Sequence, residues 1–364
     1  MKTILVTGGA GFIGGSFIRK TLSSIPGIAV VNVDALTYAS NLEGLKEFEG
    51  NPRYAFCKVD IDDGAAIRNI LLTYAPNYII HFAAHTHVDR SIDSPWPFIN
   101  TNIVGTLSLL EEIRRWEKPS NFKFIHVSTD EVYGSTTRGK PFTEETRYDP
   151  SSPYSASKAA SDHLVRTYHR TYGMPAVVTN CCNNYGPYQF PEKLMPLMIL
   201  NGMEGKELPV YGTGQNVRDW IHVDDHVQAL WYVITGGVPG ETYNIGANCE
   251  LTNLEVVHKI CDSLDKLAAV NAIPSRNYRD LIKFVRDRPG HDVAYSICSR
   301  KIRSLGWSPT VEFEDGLNRT VRWYFDNRDW AAQIHDRRRL GDAQGNFDGG
   351  RRGNTVAPSH EDGQ

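Results

Sequence analysis

Lys2-Thr3-Ile4-Leu5-Val6-Thr7-Gly8-Gly9-Ala10-Gly11-Phe12-Ile13-Gly14 is the stretch whose reading decides the fold. Ile4–Val6 is a short apolar run that reads as a buried strand. Gly8, Gly11 and Gly14 follow in a Gly-x-x-Gly-x-x-Gly spacing, and the amphipathic run Gly14–Ser23 then reads as a helix. Glycines at these places let the chain turn tightly and let a pyrophosphate approach the backbone. The helix start adds free N–H groups and a positive dipole end. Alone, the pattern fits a plain strand–helix turn as well. Its setting gives it weight: Asp34 closes the next apolar run, Ala29–Val33, 20 residues after Gly14. A carboxylate there accepts both ribose hydroxyls of an adenosine and repels a 2′-phosphate, which points to NAD rather than NADP. Asp60-Ile61, after the run Tyr54–Val59, is placed to contact the adenine, although Asp60 also reads as a helix N-cap.

Outward from this start, short apolar runs keep alternating with amphipathic ones. Tyr54–Val59, Tyr78–Phe82, Phe122–Val127 and Ala176–Thr179 read as buried parallel strands; Ala65–Tyr74, Asn102–Trp116 and Ala156–Tyr172 read as helices. That alternation predicts an α/β fold, a Rossmann-type doubly wound parallel sheet, over residues 1–182. Asn183–Pro196, rich in Pro, Asn, Tyr and Gly, reads as loop and cleft wall. Helices at Asp224–Thr235 and Asn253–Asp265, with short strands near Pro209–Tyr211 and Tyr243–Ile245, predict a smaller mixed α/β substrate-binding domain over 183–330. Part of 215–248 is expected to pack back on the first domain. From about Ala331, Arg, Gly, Asp and Asn dominate, so 331–364 reads as a disordered tail and Arg337-Arg338-Arg339 as a solvated end.

Composition narrows the function classes. A chain of 364 residues can bury a large core. With 39 basic against 42 acidic residues, net charge −3, nothing points to a nucleic-acid partner. No run of ~18 apolar residues exists, so no membrane helix is expected, and the start at Met1 runs straight into a strand, with no room for a signal peptide. The six cysteines are scattered, with Cys181 and Cys182 adjacent. They have neither disulfide-framework nor metal-ligand spacing, so no metal and a reducing cytoplasm are expected.

Chemistry enters with Tyr154 and Lys158, at i and i+4 of one predicted helix and therefore on one face. A free tyrosine has a pKa of ~10 and is a poor base at neutral pH; a neighbouring ammonium lowers it. The same lysine can reach a nicotinamide ribose. Ahead of them stand Ser128-Thr129-Asp130-Glu131 at a strand end. An adjacent Asp-Glu pair offers a second acid/base function, and it also fits a surface pair opening a loop. Where two carboxylates share a closed site, one is pushed to stay protonated, which splits them into acid and base.

The glycine start, the strand end at Ser128-Thr129 and Tyr154/Lys158 together resemble the extended branch of the short-chain dehydrogenase/reductase superfamily. Further segments narrow the resemblance. Ser128-Thr129-Asp130-Glu131-Val132-Tyr133-Gly134, Pro153-Tyr154-Ser155-Ala156-Ser157-Lys158, Asn183-Asn184-Tyr185-Gly186-Pro187-Tyr188, Pro191-Glu192-Lys193-Leu194 and Arg218-Asp219-Trp220 are similar to the nucleotide-diphosphate-glucose 4,6-dehydratases, above all members acting on dTDP-glucose. The likeness runs from Met1 to about Trp330. It implies tightly bound NAD regenerated each turnover, a nucleotide-diphosphate sugar as substrate, and a homodimer joined through the Asn102–Trp116 and Ala156–Tyr172 helices.

The resemblance also implies roles. Tyr154 takes the sugar O4 proton while the C4 hydride goes to NAD, Glu131 removes the C5 proton, Asp130 protonates the departing C6 hydroxyl, and Thr129 hydrogen-bonds O4. Phe12, Ile13, Ala35, Leu36, Thr37, Phe82, Ala83, Ala84, Thr86, Thr101 and Asn184 would join the glycines, Asp34, Asp60, Ile61, Tyr154 and Lys158 around the cofactor. Thr86, Thr129, Asn183, Lys193, Leu194, Pro209, Val210, Tyr211, Arg218, Asn253, Arg288 and His291 would face the sugar nucleotide, with Arg218 on a phosphate. Other readings of these residues stay open: an Arg218 salt bridge with Asp219 or Asp224, a cap for Asn253, an internal Asp89–Arg90 pair. His85 stands where members usually carry Glu, Ala35 where Lys is frequent, Cys182 where Ser is usual and Cys298 where Asp is. The same NAD site and Tyr154/Lys158 would also serve a UDP-glucose 4,6-dehydratase, or a sugar-nucleotide 4-epimerase or decarboxylase; these epimerases and decarboxylases generally lack the Asp-Glu pair.

Overall fold

The computed structural model describes residues 1–271, 277–332 and 334. Its strands are β1 (Lys2–Thr7), β2 (Ile28–Asp34), β3 (Tyr54–Lys58), β4 (Tyr78–His81), β5 (Lys123–Thr129) and β6 (Ala176–Cys181), then β7 (Asn183–Tyr185), β8 (Leu208–Tyr211), β9 (Val217–His222), β10 (Thr242–Ile245), β11 (Glu250–Thr252) and β12 (Ile282–Val285). β10, β6, β5, β4, β1, β2 and β3, in that order, make one seven-stranded sheet. Every pairing in it is parallel.

Side chains alternate between the two faces of this sheet, and both faces are covered. Ile4, Val6, Val30 and Ile125 join one apolar cluster with Phe17, Ile18, Val227 and Leu230. Leu5, Val31, Val33 and Phe124 join another with Ile67, Leu71, Leu109 and Ile113. Burial on both faces is why these strands read as near-continuous apolar runs. The strand order turns back between β1 and β4, and in such sheets the crevice for ligands opens there, beyond the carboxyl ends of the strands. Thr7-Gly8, Asp34, His81-Phe82, Thr129 and Cys181 all stand at those ends.

A third apolar cluster holds the second part of the molecule, around Met198, Ile199, Val257, Ile260, Leu317 and Tyr324. Here the structure differs from the sequence reading. Asn183–Tyr185, read as loop, is β7, paired parallel to β9, which pairs antiparallel with β11. Within the same expected loop, Leu194–Glu204 begins a helix; Pro196 is tolerated because it lies in the first turn, where its missing N–H has no partner to lose. The helix expected over Asn102–Trp116 is wound as a π-segment over Ile99–Gly105 before regular helix resumes at Thr106–Arg115. That wide turn carries Asn102, whose side chain bonds the backbone N–H and C=O of His85 and the Ser157 hydroxyl at 2.8–3.0 Å. Ala331 and Ile334, in the stretch read as a disordered tail, are buried, and Ala332 between them is exposed; residue 333 and residues 335–364, Arg337–Arg339 included, lie outside the described residues. Among the described residues, no helix is long and apolar enough to cross a membrane.

Candidate active site

A cavity of about 300 Å³ follows the carboxyl ends of the sheet. The glycine turn forms its floor. Gly8 has φ +71°, and a Cβ there would stand 2.6 Å from the Ala83 nitrogen. At Gly14 a Cβ would meet the Gly8 carbonyl oxygen at 2.3 Å. The helix Phe12–Ser24 starts at Gly11 without a side-chain cap, so no side chain occupies its first N–H groups. Asp34 accepts from Ala10 N (2.9 Å), Leu36 N (2.8 Å) and Ser40 Oγ (2.8 Å). A carboxylate offers about four acceptor positions, so these bonds fix its direction and leave capacity for a ribose hydroxyl. A backbone cradle that a Cβ would fill, an uncapped helix start and an oriented carboxylate fit a dinucleotide. Phe12, Ile13, Ala35, Thr37, Asp60, Ile61, Phe82, Ala83, Ala84, Thr86, Thr101 and Asn184 line the same cavity.

The reacting groups stand on its far wall. Thr129 ends β5 and caps the short turn Asp130–Tyr133, accepting from Glu131 N at 3.3 Å. Its hydroxyl donates to Asp130 Oδ1, also at 3.3 Å. Tyr154 enters from the start of the helix Pro153–Tyr172, fixed by a Ser152/Ser155 capping box. Its backbone N–H bonds Ser91 Oγ at 3.2 Å. Lys158, one turn on, donates to the Val127 carbonyl at 3.0 Å.

Electrostatics separates the two carboxyls. Burial drives Asp130 well above its ordinary pKa, and the charges of Glu131 and Asp219 add to this against Arg218. Its Oδ2 is buried and has no hydrogen-bond partner among the described residues. Burial also raises Glu131, but Arg288, Arg218 and Lys193 all pull it back. Both carboxyls are pushed up, Asp130 the more strongly, and Glu131 is the one whose rise three cations oppose. The expected effect of Lys158 on Tyr154 is not what prevails. Burial, then Glu131 and Cys181, holds the Tyr154 phenol well above its usual value, and the Thr129 hydrogen bond opposes them. Lys158 is itself lowered by burial to about 8.

The sugar-nucleotide residues are only partly brought together. Asn183 and Lys193 line the cavity beside Thr86 and Thr129, and Lys193 Nζ donates to the Thr86 carbonyl at 2.8 Å. Arg218 is buried on β9, stacked 4.1 Å over the Tyr295 ring and donating to the Val217 and Asp292 carbonyls. It pairs with neither Asp219 nor Asp224. Asp89 pairs with Arg288 (3.3 Å) and accepts from Tyr211 (3.1 Å), while Arg90 pairs with Glu192 (3.4 Å), so the Asp89–Arg90 pair read from the sequence does not form. His291 bonds Asp287 at 2.6 Å. Leu36, Leu194, Pro209, Val210, Tyr211, Arg218, Asn253, Arg288 and His291 are not in the cavity lining. Val210 is buried in the third apolar cluster. Thr252, not Asn253, caps its helix.

Several lining residues were given no site role in the sequence reading: His85, Ser128 and Cys182, noted there only within a motif or as departures from the family pattern, and Cys181, Gln189, Phe190 and Glu192. Glu192 had a signal, since it stands inside the Pro191-Glu192-Lys193-Leu194 segment. It accepts from Tyr38 at 3.0 Å, which ties the loop after β2 to the opposite wall. Nothing local distinguishes Cys181 or Cys182 from core residues.

Known proteins resemble this chain along nearly its whole length. A model of the GDP-mannose 4,6 dehydratase family matches residues 5–320. A dTDP-glucose 4,6-dehydratase of Neisseria meningitidis serogroup B is 56% identical over 342 residues, covering 92% of this chain and 96% of the relative. Among solved structures, the dTDP-glucose 4,6-dehydratase DesIV of Streptomyces venezuelae, crystallised with NAD, superposes with a TM-score of 0.84 at 45% identity, covering 91% of this chain and 99% of its own. A UDP-glucose 4-epimerase of Thermotoga maritima shares the fold at a TM-score of 0.78 and 29% identity, covering 90% and 99%.

Proposed function

The chain belongs to the dTDP-glucose 4,6-dehydratase family, and on that premise we propose that it converts dTDP-glucose to the 4-keto-6-deoxy sugar nucleotide and water. When bound, NAD would accept hydride from C4 and return it at C6, so that it is regenerated each turnover, and its oxidised ring would bring a positive charge into the cavity. The observation that carries the reading is that Thr129, Asp130, Glu131, Tyr154 and Lys158 line one cavity with the glycine cradle; the stronger upward push on Asp130 than on Glu131, whose rise cations oppose, suits an acid beside a base.

The protein's own groups divide the work by proton affinity and position. Tyr154 takes the proton of the sugar O4 hydroxyl, a role that needs the charge of Lys158 together with the positive ring of bound NAD to offset the burial that holds its phenol high. Thr129 donates to O4 and polarises the ketone that forms. A 4-ketone acidifies the C5 hydrogen, which Glu131 removes. Asp130, carrying the proton Glu131 lacks, gives it to the departing C6 hydroxyl. Lys193, Arg218 and Arg288 hold the diphosphate side, and Arg218 suits a bidentate phosphate contact because its fork is already fixed by two carbonyls and a ring. The homodimer belongs to this proposal as well. Val104 and Leu107, three residues apart on the helix assigned to the interface, are 49% and 39% exposed. So does the cytoplasmic setting, which six free cysteines suit.

The test incubates purified protein, without added cofactor, with dTDP-glucose and separately with UDP-glucose. Products are read by mass and by alkaline 4-keto absorbance. Loss of one water from dTDP-glucose, with no net reduced cofactor and no turnover in Tyr154→Phe, is the expected result. Faster turnover of UDP-glucose would change the base. An unchanged mass with inversion at C4, or loss of carbon dioxide from UDP-glucuronate, would replace the dehydratase with the epimerase or decarboxylase.

A further inference from the structure

Behind Lys158 lies a buried polar row that the reading above does not use. Tyr154, Lys158, Asp162 and Arg166 recur every four residues along the helix Pro153–Tyr172, so they share one face. Asp162 is fully buried. Its Oδ1 stands 3.2 Å from His126 Nε2, and that same nitrogen stands 3.4 Å from Lys158 Nζ. Its Oδ2 accepts from Tyr148 at 2.8 Å, whose hydroxyl accepts from Arg166 at 2.6 Å. A buried carboxylate is costly, and an apolar residue of similar size would pack this face more cheaply.

We propose that Asp162 is the positioning residue of Lys158: a buried counter-ion one helical turn on, packed against the same imidazole edge, that keeps the lysine ammonium charged against the cavity wall. The proposal rests on the assignment of Lys158 as the partner of Tyr154. The other groups facing the lysine cannot take this part. His81 on β4 and His126 on β5 are both lowered by burial, His126 to about 4, so both are neutral. Cys181 on β6 is pushed up to about 12 by burial and stays a thiol. Asp162 alone is anionic. Burial works against its charge, but the hydrogen bond from His126 first, then the Lys158 charge and the Ser128 hydrogen bond, outweigh it and hold it below its ordinary value. The largest influence on Lys158 is burial, which lowers it, and Asp162 is the first group opposing that.

The sign follows. Without Asp162, Lys158 loses its proton at lower pH. In full-length protein labelled at the lysine ε-carbon, the Lys158 resonance (assigned by its loss in Lys158→Arg) is titrated in native, Asp162→Asn and Arg166→Gln forms. The expected midpoint falls by about one pH unit or more in Asp162→Asn and does not fall in Arg166→Gln, and the alkaline limb of kcat follows the same order. An unmoved midpoint in Asp162→Asn, or equal shifts in both variants, would overturn the proposal. Should Asp162→Asn fail to fold because the Arg166 charge is left without a buried counter-charge behind Tyr148, Asp162→Asn/Arg166→Gln removes both charges together and must show the same fall. The resonance reports whether or not the native protein dehydrates dTDP-glucose, so failure here and failure of the proposed activity are told apart.

Discussion

The two halves of the cleft are built by different means. The dinucleotide half is backbone: a glycine turn, an uncapped helix start, and one carboxylate locked by Ala10, Leu36 and Ser40. The sugar half is long side chains drawn from β8, β9 and the 287–291 loop, held by ion pairs and a ring stack. Backbone recognition is intolerant, because any Cβ in the wrong place collides with main chain that cannot swing aside. Side-chain recognition is gradual, because an arginine replaced by a lysine loses geometry and keeps charge. Errors in the first half should abolish binding, and errors in the second should weaken it by degrees.

The strongest challenge to that contrast is Gly14→Ala. Its Cβ would stand 2.3 Å from the Gly8 oxygen and 2.9 Å from the Gly9 Cα, both main chain. The purified variant is expected to carry no bound dinucleotide and to show no turnover, measured by extraction and ultraviolet absorbance. Gly11→Ala, whose Cβ would meet the same oxygen at 3.2 Å, should keep part of its cofactor. Equal occupancy in both variants would mean that the turn adjusts and that the halves do not differ as argued. Arg218→Lys probes the other half. Loss of a bidentate charged contact worth about 1.5–3 kcal/mol corresponds to a rise in KM for the sugar nucleotide of roughly ten- to a hundred-fold, with cofactor content unchanged. A KM within two-fold of native would remove Arg218 from the diphosphate.

Legibility followed the same division. β1 to β6, Asp34 and the helix carrying Tyr154 and Lys158 could be read because each is specified by neighbours in sequence: an apolar run, a glycine spacing, an i, i+4 pair. β7 could not. Its three residues, Asn183–Tyr185, have no apolar alternation, and they become a strand only because β9, more than thirty residues later, offers an edge to pair with. The helix Leu194–Glu204 hid behind Pro191 and Pro196, which read as breaks until the helix start is known. In the site, Thr129 to Glu131 were legible as chemistry, and the resemblance already implied which carboxyl is acid and which is base. The convergence of Arg288, Arg218 and Lys193 on Glu131 was not, because they approach from three separate segments. The tie between Asp89 and Arg288 was out of reach for the same reason, and the nearer Arg90 was the wrong partner.

Asp130 sits at the seam between the halves, and the smallest expected effect tests whether the seam is as dry as its surroundings imply. Its folded pKa is raised, by burial first and by Glu131 and Asp219 after it. The folded protein therefore holds a proton that the unfolded chain releases above about 3.9. Stability tied to this group is fully present below that pH and declines as pH rises towards the folded value, by at most about 1.4 kcal/mol per pH unit. An asparagine cannot ionise and escapes that slope. Asp130→Asn should thus melt at nearly the native temperature near pH 4 and a few degrees higher at pH 8, with the gap widening steadily, while turnover falls for want of the C6 proton. Differential scanning calorimetry across that range decides it. A gap that stays constant or closes as pH rises would mean that Asp130 ionises in the folded protein, and Glu131 would then no longer be the only base at the seam.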